Sequence, residues 1–64
     1  MEQSAKIYVA GHRGLAGSAL VRRLRAAGCE NLVLRTHAEL ELTDAAAVRR
    51  FFEAERPQHV LLAA

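Results

Sequence analysis

The segment Lys6-Ile7-Tyr8-Val9-Ala10-Gly11-His12-Arg13-Gly14-Leu15-Ala16-Gly17 changes character twice in twelve residues. Its first part is a short apolar run containing β-branched residues, and it stops at a glycine. A run with no polar alternation fits a strand buried on both faces, as in a parallel sheet. From Leu15 to Ala27 the pattern becomes helical. Leu15, Ala19, Leu20 and Leu24 form an apolar stripe, and Arg22, Arg23 and Arg25 lie mostly off it. Gly28 follows at the position where a helix stops in a left-handed conformation.

The rest of the chain continues the alternation. Leu32-Val33-Leu34 reads as a second buried strand and Thr36–Glu39 as a loop. Leu40-Glu41-Leu42 alternates and fits a short third strand. Thr43 or Asp44 can cap the next helix. In that helix Val48, Phe51 and Phe52 share one face, while Arg49, Arg50 and Glu53 lie off it. Pro57 ends it, because the residue before a proline is pushed out of the helical region. Val60-Leu61-Leu62-Ala63 is a further strand. The order β-α-β-β-α-β predicts an α/β fold, a Rossmann-type parallel sheet with right-handed crossovers.

The three glycines have the pattern G-x-x-G-x-x-G, and their place at a strand-to-helix junction gives the pattern its meaning. Gly11 permits a tight turn. Gly14 bares the backbone where a pyrophosphate must approach. Gly17 lets the helix pack on the strand. The helix N-terminus then offers free N–H groups and a partial positive charge to phosphates. This predicts a dinucleotide site. Domains that bind NAD usually place an Asp or Glu after the second strand, to accept from the ribose 2′-hydroxyl. Here that place holds Arg35-Thr36-His37. An acid repels a 2′-phosphate, whereas Arg pairs with one bidentately. Arg13 in the glycine loop is placed to reach the same phosphate. The expected cofactor is therefore NADP(H), with His37 as a weaker contact. Glu41 and Leu42 are expected beside the adenine, as acceptor for its amino group and as a contact to its ring. A solvated Glu41 is an equally good reading.

Composition sets the outer bounds. The chain has 64 residues, nine basic and seven acidic, with a net charge of +2; eight of the nine basic residues are Arg. That excess is too mild to suggest nucleic acid or an anionic membrane as partner. No stretch approaches the roughly 20 apolar residues of a membrane span. Met1–Lys6 is polar and the run after it is too short for a signal peptide, so the expectation is a soluble cytoplasmic protein. The single Cys29 cannot form an internal disulfide and reads as structural. His12 and His59 have no partners at metal-ligand spacing, so no metal site is expected. The chain closes on Leu61-Leu62-Ala63-Ala64, inside what reads as a buried strand. A doubly wound domain usually has about six strands, so the chain is expected to be the N-terminal part of one NAD(P)-binding domain, poorly folded alone.

These residues resemble a known family. The glycine loop is that of extended short-chain dehydrogenase/reductases. The string Val9–Ala19, with Leu32-Val33-Leu34-Arg35-Thr36, Glu39-Leu40, Leu42-Thr43-Asp44 and Val60–Ala64, is most similar to their GDP-L-fucose synthase branch. The resemblance spans nearly the whole chain. It implies an NADP-dependent homodimeric enzyme acting on a GDP-linked sugar, which epimerises and then reduces GDP-4-keto-6-deoxy-D-mannose. It implies that Gly11, His12, Arg13, Gly14, Leu15, Ala16 and Gly17 bind the cofactor, that His37 to Leu42 lie along its adenosine half, and that Ala63 and Ala64 complete the set. Two positions depart from the family: His37 stands where it carries Arg, and Glu41 where it carries Asn or Asp. The family's catalytic Ser, Tyr-x-x-x-Lys pair and epimerisation Cys and His lie beyond residue 64. The alternatives are another NAD(P)-dependent nucleotide-sugar epimerase or dehydratase, and a non-catalytic NADP-sensing protein of the same fold.

Overall fold

The computed structural model describes residues 2–36 and 38–63. Strand β1 (Ile7–Ala10) leads to helix α1 (Leu15–Ala26), strand β2 (Leu32–Leu34), helix α2 (Ala45–Glu55) and strand β3 (His59–Leu62). The three strands are parallel in the order β2-β1-β3. Tyr8 sits level with Val33 of β2 and Val60 of β3. The strand order therefore reverses direction at β1, and the crevice beyond the C-terminal ends of β1 and β3 is where open α/β sheets bind ligands.

The pleat of β1 divides the core in two. Ile7 and Val9 face one side, where they pack with Val21 and Cys29; Leu20 and Leu24 of α1 and Leu61 of β3 close over them. Tyr8 and Ala10 face the other side, with Val33, Leu40 and Phe51, under Val48 and Phe52 of α2. Each helix thus covers one face of the sheet, and β1 is buried throughout. This explains why its sequence shows no alternation. Tyr8, Phe51 and Phe52 form an aromatic cluster, with the Tyr8 and Phe51 rings 4.6 Å apart. Cys29 is a buried free thiol within the core, as its sequence position suggests.

Three expectations need correction. Strand β3, read as buried, lies at the sheet edge and is largely exposed. Leu40-Glu41-Leu42 forms turns rather than a third strand. The N–H groups of Glu39 and Leu40 both donate to the Thr36 carbonyl, and that of Asp44 donates to the Glu41 carbonyl. The alternation arises because Leu40 plugs the core while Leu42 stays at the surface. The apolar stripe of α1 is also displaced. Gly17 and Val21 are its buried residues, and Leu15 is 91% exposed. Leu15 opens the helix at the mouth of the crevice, where no other element covers it.

The helix ends follow the sequence signals. Asp44 caps α2, its side chain accepting from the Ala47 N–H at 3.1 Å. Gly28 (φ 89°) follows α1. Helix α2 stops two residues before Pro57, and Arg56 takes the left-handed conformation (φ 47°), donating its N–H to the Phe52 carbonyl.

Candidate functional site

The loop between β1 and α1 is built by two glycines with different tasks. Gly11 leaves β1 at φ 82°, a conformation that a side chain resists. Gly17 is buried directly beneath the loop, and a Cβ there would collide with the Gly11 carbonyl. Gly14 is unlike both. A Cβ on it would make only ordinary contact, 3.5 Å from the Gly11 oxygen, and its backbone is extended. Among the described residues, no packing contact requires Gly14 to be bare.

Gly14 is also the N-cap of α1, and it supplies no side-chain cap. The first turn carries no acidic residue. The first N–H groups of α1 are therefore available, in the field of the positive end of the helix. His12, on the same loop, adds a buried imidazole nitrogen: among the described residues, its Nδ1 has no hydrogen-bond partner within the chain. A bare backbone, open helix N–H groups and an orphaned ring nitrogen fit a phosphate-bearing ligand.

Two clefts meet at this loop and share Gly11, Gly14 and Leu42. The smaller is cationic, with His12, Arg13, Arg35 and Thr36 on its wall. The larger, about 430 Å³, is apolar and lined by Ala10, Leu15, Ala16, Leu62 and Ala63. The two suit the opposite ends of a dinucleotide: a phosphorylated ribose on the cationic side, and a flat ring on the apolar side.

The expected site residues distribute unevenly over this geometry. Gly11, His12, Arg13, Gly14, Arg35 and Leu42 come together at the cationic cleft, and Leu15, Ala16 and Ala63 at the apolar one. Gly17 supports the loop from below and lines neither. Glu41 is exposed, lines neither cleft, and accepts from the Thr43 N–H at 3.3 Å. His37 and Ala64 lie outside the described residues.

Arg35 is less free than its sequence position suggests. One terminal nitrogen donates to the Leu34 carbonyl at 2.9 Å, and the other to Glu55 at 3.3 Å. Its guanidinium carbon lies 5.4 Å from the centre of the Phe51 ring. Glu55 also binds Lys6, at 2.9 Å. The Lys6 ammonium, and to a lesser degree Arg35, holds the Glu55 carboxyl below its ordinary pKa. Across the loop, the Thr36 N–H donates to the Glu39 carboxylate at 2.8 Å and the Glu39 N–H donates back to the Thr36 hydroxyl. Chiefly through the bond from the Thr36 N–H, Thr36 keeps the Glu39 carboxyl below its ordinary value too. Burial raises the Tyr8 phenol, against a smaller opposing effect of Arg35.

Sequence reading missed Tyr8, Thr36 and Leu40 in the cationic cleft, Ala10 and Leu62 in the apolar one, and Glu55 as the partner that Arg35 shares with Lys6. The pleat of β1 is a usable signal for Tyr8, because it must lie on the face opposite Ile7 and Val9. No local signal joins Arg35 to Glu55, which is 20 residues away.

The model of the NAD dependent epimerase/dehydratase family matches residues 7–64. The chain belongs to that family. It is 62% identical over 63 residues to GDP-L-fucose synthase 1 of Arabidopsis thaliana, covering 98% of this chain and 20% of the relative. It is 51% identical over 59 residues to the GDP-L-fucose synthase of Escherichia coli strain K12, covering 92% of this chain and 18% of that one. Among solved structures, a GDP-D-glycero-L-gluco-heptose synthase from Campylobacter jejuni, crystallised in the presence of NADPH, superposes with a TM-score of 0.97 at 50% identity, over 100% of this chain and 19% of that one. A GDP-mannoheptose C4 reductase from the same organism, with NADP bound, gives the same TM-score and identity, over 100% of this chain and 20% of that one. The chain thus spans about a fifth of the length of the curated relatives it matches. The resemblance drawn from Val9–Ala19 and Leu32–Thr36 is borne out.

Proposed function

We propose that this chain is the N-terminal, phosphate-cradling part of an NADP(H)-dependent epimerase/reductase that makes GDP-L-fucose from GDP-4-keto-6-deoxy-D-mannose. One observation carries the cofactor half of the reading: the bare Gly14 backbone and the open start of α1, with Arg13 and Arg35 on the adjoining wall. NADPH, when bound, supplies the hydride that reduces a sugar ketone. The residues of this chain do the holding. The N–H groups at the start of α1 face the pyrophosphate, Arg13 and Arg35 attract the 2′-phosphate, and Ala10, Leu15, Ala16 and Leu62 offer an apolar wall that sheds water. The GDP-sugar half rests on relatives named for GDP-L-fucose synthesis that are 51–62% identical to this chain.

A second reading is a GDP-heptose reductase, favoured by the solved structures that superpose at a TM-score of 0.97. Both readings keep the same cradle and differ in the sugar. A homodimeric, cytoplasmic enzyme is part of the first reading and is supported by the family resemblance. Among the described residues, no helix is long and apolar enough to cross a membrane, and no cluster of three or more His, Cys, Asp or Glu side chains could hold a metal.

The test is turnover by the full-length protein. NADPH oxidation is followed with GDP-4-keto-6-deoxy-D-mannose and with a GDP-4-keto-heptose, and the products are identified by mass spectrometry. GDP-L-fucose formed preferentially supports the first reading, and preference for the heptose the second. NADPH binding without turnover of any keto sugar would indicate a sensor.

A further inference from the structure

Arg35 of the cationic cleft is paired with a carboxylate that does not itself line the cleft. Glu55, the last residue of α2, directs one carboxylate oxygen to Lys6 Nζ at 2.9 Å and the other to Arg35 Nη2 at 3.3 Å. Lys6 immediately precedes β1 and Arg35 immediately follows β2. Phe51, one turn before Glu55, lies under the same guanidinium. The ring and the carboxylate together form a seat on α2, and Arg35 occupies it. A guanidinium has five N–H donors. Two of those on Arg35 are committed, one to Leu34 and one to Glu55. The group is therefore held in place while retaining donors for the cleft it lines.

We propose that Glu55 tunes cofactor specificity as a rival anion: it seats Arg35 on α2, and the 2′-phosphate of NADP(H) competes with it for that guanidinium. The inference rests on the NADP(H) reading above. Local charge sets the sign of the effect. Two cations against one carboxylate leave a net +1 at the seat, and without the carboxylate it is +2. A phosphomonoester brings a charge of about −1.5 to −2 at neutral pH. Neutralising Glu55 removes a rival acceptor and a repelling charge together, so the phosphate is held more tightly. NADH has a hydroxyl at that place and gains little. Glu39, a carboxylate beside the cleft, accepts from the Thr36 N–H, and among the described residues it forms no ion pair with Arg35.

The experiment titrates the full-length protein with NADPH and with NADH, as wild type, Glu55→Gln, Arg35→Ala and the double variant. The wild type is expected to prefer NADPH. Glu55→Gln should tighten NADPH about two- to five-fold, the range for a partly exposed ion pair, and leave NADH unchanged. In the Arg35→Ala background the same substitution should do nothing. Weaker NADPH binding by Glu55→Gln, an equal change for both cofactors, or the same gain without Arg35 overturns the proposal. Equal binding of both cofactors by the wild type is a different failure: the NADP(H) reading falls, and this inference with it. If Glu55→Gln does not fold, Lys6→Met leaves Glu55 to Arg35 alone. It should lower the preference for NADPH by a similar factor, and an unchanged preference overturns the proposal.

Discussion

A Cβ built on Gly17 would collide with the carbonyl oxygen of Gly11 and lie 2.9 Å from His12 Cα. The first turn of α1 therefore rests on the glycine loop with no room for a side chain. Gly14, three residues earlier, would place its Cβ in ordinary contact, 3.5 Å from the same oxygen. The two glycines stand in one motif for different reasons, and substitution separates them.

Gly17→Ala should destabilise the fold. The loop or the helix must move, and overpacking of this kind typically costs about 1–3 kcal/mol. Thermal unfolding of the full-length protein should show a clear loss of Tm, with dinucleotide binding lost alongside. Gly14→Ala should leave the fold nearly intact, since an alanine at a helix N-cap costs no more than about 1 kcal/mol against glycine. It should still weaken NADPH by at least about ten-fold, because the added methyl occupies the path of the pyrophosphate to the backbone. A Gly14→Ala variant that binds NADPH normally would show that the cradle lies elsewhere.

Arg13 is the cation of the cleft for which no side-chain partner competes among the described contacts; it is exposed at the rim. Arg13→Ala should weaken NADPH by roughly ten- to a hundred-fold, the range for a hydrogen bond to a charged group. NADH should change far less. Parallel titrations check this, and equal losses for both cofactors would remove Arg13 from recognition of the 2′-phosphate.

These residues also show where sequence reading succeeds and where it stops. The apolar run Ile7–Ala10, the glycine spacing after it and the Val48-Phe51-Phe52 face are local patterns. Each follows from the strand or helix period alone, and each is found in place. Leu40 is different. Its apolar neighbour Leu42 suggests a strand, but Leu40 is buried by contacts with Tyr8, Val33 and Phe51 that are distant in sequence. Leu15 fits the helical stripe by spacing and is exposed because the crevice opens above it. Arg35 looks like a free cation after β2. Only the packing of α2 against β1 and β2 brings Glu55 and Phe51 to it.

The end of α2 carries backbone strain that can be relieved. Arg56 is the only non-glycine residue with positive φ among those described. It is exposed, and its N–H closes the helix on the Phe52 carbonyl. The left-handed conformation costs a residue with a Cβ roughly 1–2 kcal/mol. Part of the relief is offset by the greater freedom of glycine in the unfolded chain. Arg56→Gly should therefore stabilise the protein by about 0.5–1 kcal/mol. A denaturant midpoint that rises with an unchanged slope would show it, and a fall would mean that Arg56 makes a contact worth more than its strain.

Glu55 gives the fold a dependence on acid. Its carboxyl is held below the ordinary value of 4.5, chiefly by Lys6 and further by Arg35. A carboxyl depressed in the folded state stabilises the fold fully above its unfolded pKa, and that contribution is lost as pH falls through the folded pKa. The window therefore opens near pH 4.5 and extends below it. Glu39 is shifted in the same direction by Thr36 and loses its contribution over a similar range. Thermal melts from pH 7 down to pH 3 should show the wild type losing Tm below about pH 4.5, and Glu55→Gln losing less over the same interval. The two curves should converge in acid, where the wild-type carboxyl is protonated and offers Lys6 and Arg35 no negative charge. Parallel curves across the whole range would show that the bridge contributes nothing to stability, which would also weaken the case that Glu55 fixes Arg35 in its seat.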